Sequence, residues 1–438
     1  MSATAGPILY DLAVLLIAAK LGGEAAERLK LPPVLGELVA GLLLAAGLLG
    51  GVLRLPDLSG VAPDGADHGA EVAVLEALAA IGAILLLFEV GLESRINEMR
   101  KVGLSSVLVA ILGIVVSFAV GFAASFGLAQ VWGAWATADA ALPPYLLHVF
   151  IGAALTATSV GITARVLADL GRLASPEARI ILGAAVLDDV GGLIILAVVA
   201  ALATAALGGD PVDALGLLKV LGLAIGFLAV AVGAGLKLVP KAYDALADRF
   251  RVPFFPLVLA VAFALAMAYL ASLAGLADIV GAFAGGLILA ETRHAHKLFE
   301  QLRPLAALFV GLFFVTLGMR VDVAQFAANV GPVLAIGIGL SVLAVLGKLA
   351  CAFGVVRRQA NRLPVGVGMV PRGEVGLIFA GLGLSTGLLA NWQYAAVLVM
   401  VFLTTLVTPL WLARLKDRFT RDLGAPPLGE GLAKAGEL

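Results

Sequence analysis

Three charged side chains stand where their surroundings should exclude charge. Asp188 and Asp189 are adjacent within "IILGAAVLDDVGGLIIL", and Lys348 sits within "LSVLAVLGKLACAFGVV". On a helix, sequence neighbours point about 100° apart, so the two acids can face one cavity but not one partner. A structural ion pair between helices accounts for one acid and the lysine. It leaves a carboxylate over, and the species that balances a spare buried carboxylate is a proton or a metal ion.

Two further stretches carry polar groups where they are costly. "GAALTATSVGITARVL", residues 152–167, crowds Thr156, Thr158, Ser159 and Thr163 into one apolar run. "VGVGMVPRGEVGLIFAG", residues 365–381, is interrupted by Gly366, Gly368, Pro371, Gly373 and Gly376, with Arg372 and Glu374 inside it. Proline removes a backbone donor and glycine weakens a helix, so an unwound stretch is expected. The bland reading of the first is ordinary helix packing. That of the second is a proline kink, which Arg372 and Glu374 make the weaker account.

The elements that must position these groups follow from composition. Of 438 residues, 61% are hydrophobic and only 13% charged, against roughly 25% charged in soluble domains. Such a chain could not cover its surface with polar groups, and it reads as an all-α polytopic membrane protein embedded in a lipid bilayer. Net charge is −1, so nothing points to nucleic acid. The single cysteine, Cys351, excludes an internal disulfide and a cysteine-built metal site. His68, His148, His294 and His296 show no metal-ligand spacing. The first residues, "MSATAGPILYDLAVLLIAAK", lack a basic n-region and read as a first membrane helix, not a removable signal.

A membrane helix needs about 20 mostly apolar residues. About thirteen such spans can be drawn: 8–27, 33–50, 73–92, 103–127, 144–168, 176–207, 215–237, 253–274, 277–291, 302–319, 328–354, 363–388 and 392–413. Loop charge tests them. The odd-numbered loops hold Lys20, Arg28, Lys30; Arg95, Arg100, Lys101; Arg165, Arg172, Arg179; Lys237, Lys241, Arg249, Arg251; Arg293, Lys297, Arg303; and Arg357, Arg358, Arg362. The tail adds Arg414, Lys416, Arg418, Arg421 and Lys434. The opposite side has only Arg54, Lys219 and Arg320, and Lys348 and Arg372 lie within spans. That accounts for all 29 lysines and arginines. By the positive-inside rule the N-terminus is outside and the C-terminus cytoplasmic, as suits a multi-pass protein of a bacterial-type cell membrane.

Depth brings the charges together. Ser175-Pro176 reads as an N-cap with proline at the first helical position. Asp188 and Asp189 follow after about 12 residues, or about 18 Å of helix. Lys348 precedes the cytoplasmic Arg357 by about nine residues, or about 13 Å. The acids and the lysine therefore share a depth. The two interrupted stretches fall in the fifth and twelfth spans, so helices 4–6 and 11–13 are offset by seven. An odd offset reverses direction through the membrane, the signature of inverted repeats with two crossed broken helices. Arg372 and Glu374 could compensate the half-helix dipoles at such a crossing.

"ALTATSVGITARVLADLGRLASPEARIILGAAVLDDVGGLI" resembles the core of the monovalent cation:proton antiporters of the second superfamily branch. "GLFFVTLGMRVD", "LGKLACAF" and "GMVPRGEVGLIFAG" are similar to its later motifs, in the same order. The likeness covers residues 8–416. It implies a thirteen-helix fold in which a core moves against a dimerisation domain, and a homodimer. It implies Asp189 as the main cation and proton carrier, with Asp188 beside it in the Na⁺ site and paired to Lys348, the salt-bridge partner or second proton carrier. Thr158 and Ser159 join the expected ion site, and Thr156, Arg372 and Glu374 the compensated crossing. The related potassium-efflux antiporters usually replace the first acid with an amide and append a cytoplasmic nucleotide-binding domain. The expectation here is neither, which favours sodium.

The resulting organisation is 1–98 and 253–320 for dimerisation and gating, 99–207 and 321–416 for the ion-transport core, 208–252 as a linker helix and 417–438 as a disordered cytoplasmic tail. The expected activity is Na⁺ (or Li⁺) for H⁺ exchange by alternating access, without a cofactor beyond the transported ions, and with net charge movement. A proton and a cation compete for the same carboxylate oxygens, which couples the two fluxes. The alternatives are K⁺/H⁺ exchange and, from another class, an ion channel lined by the broken helices. A membrane enzyme has no nucleophile–base pair to stand on.

Overall fold

The computed structural model of the protein describes residues 5–29, 31–45, 49–53, 55–58, 69–93, 103–131, 136–172, 175–207, 214–250, 252–274, 276–356 and 360–420. Among these residues there is no strand. Seven helices among the described residues are long and apolar enough to cross a membrane: Glu71–Leu92, Leu104–Gln130, Pro176–Leu207, Phe255–Leu273, Ala295–Met319, Val330–Gly354 and Asn391–Arg414. The expected spans overlie helices, the fifth and twelfth on two each, separated by unwound chain, while of the second only Pro33–Leu43 is a continuous helix and residues 46–48 lie outside the described residues.

The chain divides into two compact units, Met1–Asn97 with Ala200–Val330, and Glu98–Val199 with Gly331–Leu438. The first unit contains α1 (Ala5–Arg28), α2 (Pro33–Leu43) and α3 (Gly69–Glu93). Its second half contains α8 (Ala214–Arg249), α9 (Phe255–Leu273), α10 (Asp278–Leu289) and α11 (Ala295–Met319). Leu15, Ala19, Leu75, Leu312 and Val315 pack α1, α3 and α11 together. Phe88, Ala264, Ala282 and Leu298 do the same for α3, α9, α10 and α11. Alanine at so many contact positions lets helix backbones approach closely, which matters where lipid supplies little drive for association.

Two bounds differ from the sequence reading. The seventh helix runs past the end of its apolar span near 237 to Arg249, inside the linker helix expected over 208–252, although Pro240 lies inside it. Its last turns are amphipathic. Tyr243 and Ala247 are buried, while Asp244 and Asp248 reach Arg293, with Arg293 Nη2 2.9 Å from Asp248 Oδ2. An apolar-run criterion ends where charge begins, so it misses such an extension. The tenth helix likewise starts at Ala295, a turn and more before its apolar run.

The second unit holds α4 (Leu104–Val131), α5 (Tyr145–Ala154), α6 (Val160–Asp169) and the part of α7 (Pro176–Leu207) up to Val199. From the second half of the chain it takes α12 (Val330–Leu349), α13 (Arg362–Gly368), α14 (Glu374–Ser385) and α15 (Asn391–Arg414). One apolar cluster gathers Val109 of α4, Ile181 and Ala184 of α7, Cys351, Val365 and Val367 of α13, Leu412 of α15, and Phe419.

Polar straps tie this unit at the helix ends. Ser175 caps α7, its Oγ accepting from the Ala178 N–H at 3.1 Å, and Pro176 opens the helix as expected. Glu177, fully buried, accepts from the Asn361 N–H at 2.7 Å and from the Thr420 hydroxyl at 2.6 Å. The residues just after α15 therefore belong to the packed unit: Phe419 is buried and Thr420 is bonded. Residues 421–438, the rest of the expected tail, lie outside the described residues. At the other end, the Asp139 N–H donates to Gly387 O at 2.9 Å. The Gln393 amide donates to Ala136 O at 3.0 Å.

Candidate ion-binding site at the crossing of two broken helices

Both interrupted segments are unwound where their residue types demand it. The fifth span is helical to Ala154 and again from Val160. Thr156, Thr158 and Ser159 lie between, hydroxyl side chains that compete for backbone partners. The twelfth span is helical to Gly368 and again from Glu374, with Pro371 and Gly373 in the gap.

The two gaps cross, and the crossing is hydrogen-bonded. The Ser159 N–H donates to Pro371 O at 2.8 Å. The Thr158 hydroxyl donates to Met369 O at 3.1 Å, and that of Thr163 to Gly368 O at 2.7 Å. Arg372 Nη2 donates to Leu155 O. The last carbonyls of α5 and α13, which have no helical acceptor role left, thus receive donors from the opposite segment. The approach is close enough that a Cβ on Gly373 would stand 2.6 Å from Ser159 Oγ. Thr156, Thr158, Ser159, Thr163 and Arg372 are all buried. The Arg372 guanidinium stands at the C-terminal end of α5, where the helix dipole is negative. Its Nε and Nη1 find no partner among the described residues.

Asp188 and Lys348 form a buried ion pair within the same unit. Lys348 Nζ donates to Asp188 Oδ1 at 2.8 Å and to Oδ2 at 2.9 Å. Both side chains have 0% exposure, so bulk solvent does not reach the pair and each group depends on the other. Two charges out of water are tolerated only with this kind of geometry.

The sequence-derived site residues divide plainly. Asp188 with Lys348, and Thr158, Ser159 and Arg372 with the facing backbone, are brought together. Thr156 turns back on its own helix, its hydroxyl donating to Ala153 O at 2.7 Å. Asp189 lies in α7 beside Asp188, and Glu374 opens α14; their side chains lie outside the described residues. Thr405 of α15 was not singled out from sequence. Its hydroxyl donates to Arg372 O and holds the broken segment from the far side. The signal was a hydroxyl run, Thr404, Thr405 and Thr408, in an otherwise apolar helix.

The crossing gathers hydroxyl and carbonyl oxygens of two half-helix ends, in the same unit as the Asp188–Lys348 pair. A family model described as sodium/hydrogen exchanger, transmembrane, matches residues 13–416. The chain belongs to this family. Among the exchangers, the high-affinity Na⁺/H⁺ antiporter NhaS3 of Synechocystis is 40% identical over 428 residues, covering 92% of this chain and 89% of that protein. The Na⁺/H⁺-K⁺ antiporter GerN of Bacillus cereus is 34% identical over 405 residues, covering 91% of this chain and 94% of its own. The sodium proton antiporter MjNhaP1 of Methanocaldococcus jannaschii, solved at pH 8, aligns with a TM-score of 0.67 at 18% identity. The match covers 94% of this chain and 97% of MjNhaP1. At that identity the structural match speaks for the exchanger fold, which is that of a multi-pass membrane protein.

Proposed function

We propose that the chain is a secondary antiporter exchanging Na⁺ (or Li⁺) for H⁺ by alternating access, and that Asp189 is the carboxylate that carries them. The observation that carries this reading is the ion pair of Lys348 with Asp188. Both Asp188 oxygens are engaged by one ammonium, so the adjacent acid is the one left to bind a mobile cation. Thr158, Ser159 and the carbonyls of the unwound segments lie in the same unit and supply further oxygen donors.

Competition at one carboxylate couples the fluxes: a cation enters only as the proton leaves. The unit of Glu98–Val199 and Gly331–Leu438 is the moving ion-transport core in this reading. The other unit, including α1–α3 and α9–α11, is the static part and forms a homodimer. The protein sits in the cell membrane with its N-terminus outside and its C-terminus in the cytoplasm, a reading supported by the loop charges.

A second reading, exchange of K⁺ for H⁺, is favoured by one observation, the Na⁺/H⁺-K⁺ name carried by GerN. Proton flux in proteoliposomes, with Na⁺, Li⁺ and K⁺ added in turn, tests both. Antiport of Na⁺ gives dye-reported proton movement on Na⁺ addition and a smaller response, or none, to K⁺. A proton response to K⁺ alone transfers the assignment to the second reading. Cation conductance with no proton movement would sink antiport altogether.

A further inference from the structure

One buried hydroxyl beside the ion pair has no assigned partner. Ser117 on α4 has 0% exposure, and its Oγ makes no hydrogen bond among the described residues. Buried hydroxyls in folded proteins nearly always have a partner. Helix α12 passes so closely that a Cβ on Gly347 would stand 3.0 Å from Ser117 Oγ. One turn back along α4, a Cβ on Gly113 would stand 3.3 Å from Lys348 Nζ and 3.7 Å from its Cδ. Lys348 thus lies flat against Gly113 while it pairs with Asp188. The vacant hydroxyl is a single turn away, about 6 Å along the helix.

That spacing suits a lysine that changes partner. Its four-carbon stem is flexible and its head carries three rotatable donors. Antiport requires cations to enter a region where Asp188 is held by Lys348, and a cation that takes oxygens of Asp188 displaces the amino group. Among the described residues, the other groups that face Lys348 are the Arg372 guanidinium, which repels an ammonium, and the neutral thiol of Cys351, a weak acceptor. A stronger neutral acceptor is needed.

We propose that Ser117 is the second partner of Lys348, receiving its amino group when a cation carried by Asp189 also draws on an oxygen of Asp188. A hydroxyl accepts from an ammonium and donates to a neutral amine, so the role stands whether Lys348 keeps or releases its proton. Ser117 acts through Lys348 and is a positioning residue. The proposal rests on the antiport reading and adds the place to which its lysine moves.

The test is Na⁺-dependent thermal stabilisation of the purified chain, at constant ionic strength, which reports the Na⁺ dissociation constant. Ser117→Ala should weaken Na⁺ binding roughly three- to tenfold, the scale of one hydrogen bond. In a Lys348→Met background the same change should have no effect. Gly113→Ala places a methyl against Nζ, loosens the ion pair, and should tighten Na⁺ binding roughly two- to threefold. That gain should vanish when Ser117→Ala is added. Equal weakening by Ser117→Ala with and without the lysine overturns the proposal, as does a Gly113→Ala gain indifferent to Ser117. The second comparison decides alone should Lys348→Met not fold. Na⁺ binding unaffected by Ser117→Ala sinks this proposal only. No Na⁺ effect on the unaltered chain sinks the antiport reading as well.

Discussion

Lys348 Nζ lies 2.8 Å and 2.9 Å from the two oxygens of Asp188, 160 residues away in sequence, with neither side chain reached by solvent. Removing one partner of such a pair leaves a charge buried without compensation, which typically costs about 3–5 kcal/mol. Replacing both with apolar or neutral groups costs far less. Thermal unfolding of Lys348→Ala should therefore show a large loss, and Asp188→Asn combined with Lys348→Met a much smaller one. Losses that simply add would mean that the two residues do not act as a pair.

Asp189→Asn should abolish cation binding and coupled transport while the protein still folds. The substitution keeps the shape and removes the one charge at this depth left over by the Asp188–Lys348 pair. The check is sodium-driven proton flux in proteoliposomes, with size-exclusion profile as the folding control. Flux near that of the unaltered chain would move the carrier role elsewhere.

Thr405 tests whether the crossing needs its outer brace. Thr405→Val keeps the volume and removes the hydroxyl that donates to Arg372 O. The abandoned carbonyl is buried, so the expected loss is about 1–3 kcal/mol of stability. Thr405→Ser, which restores the donor, should recover most of it. An unchanged melting temperature in Thr405→Val would show that the broken segment is held by its other contacts alone.

Much of this arrangement was legible in the chain. Hydropathy with loop charge located the helices, because lipid forbids charge over about 20 residues and the loops of one side collect lysine and arginine. Pro371 and Gly373, and the hydroxyls of Thr156, Thr158 and Ser159, marked the unwound segments, because each disturbs a helix locally. Helical rise placed Asp188 and Lys348 at one depth. What stayed hidden depends on distant partners. Ser117 sits in a run that reads as plain membrane helix and Thr405 in a hydroxyl run with no visible target, and only the packed fold gives their hydroxyls a target or denies them one. The amphipathic turns of α8 up to Arg249 were invisible to an apolar criterion. So was the packing of Phe419 and Thr420 into the core unit, since Glu177, which holds Thr420, lies more than 240 residues earlier.

The protein should be a homodimer through helices of the first unit. Its spans carry no ion pair at mid-membrane resembling Asp188–Lys348 among the described residues, which suits a static part. Mass measurement in lipid nanodiscs should give two chains per particle. A monodisperse monomer with full transport activity would count against the assignment.

Transport should move net charge. If the entering cation takes Asp188 from Lys348, the amino group loses the anion that balanced it. A buried ammonium without a counter-ion gives up its proton more readily than a paired one. The lysine and Asp189 would then release two protons for each Na⁺ bound, and the cycle would respond to membrane voltage. If Lys348 instead keeps its proton throughout, it only braces the core, one proton leaves per Na⁺ and no net charge crosses. Substitution of Lys348 mixes this question with stability, so the unaltered protein gives the cleaner answer. Purified protein on a solid-supported membrane, switched from Na⁺-free to Na⁺ solution, should give a transient current. Its sign should reverse with the direction of the Na⁺ gradient. Clear dye-reported proton flux without such a current would refute the two-proton cycle, leaving antiport with a lysine that stays charged.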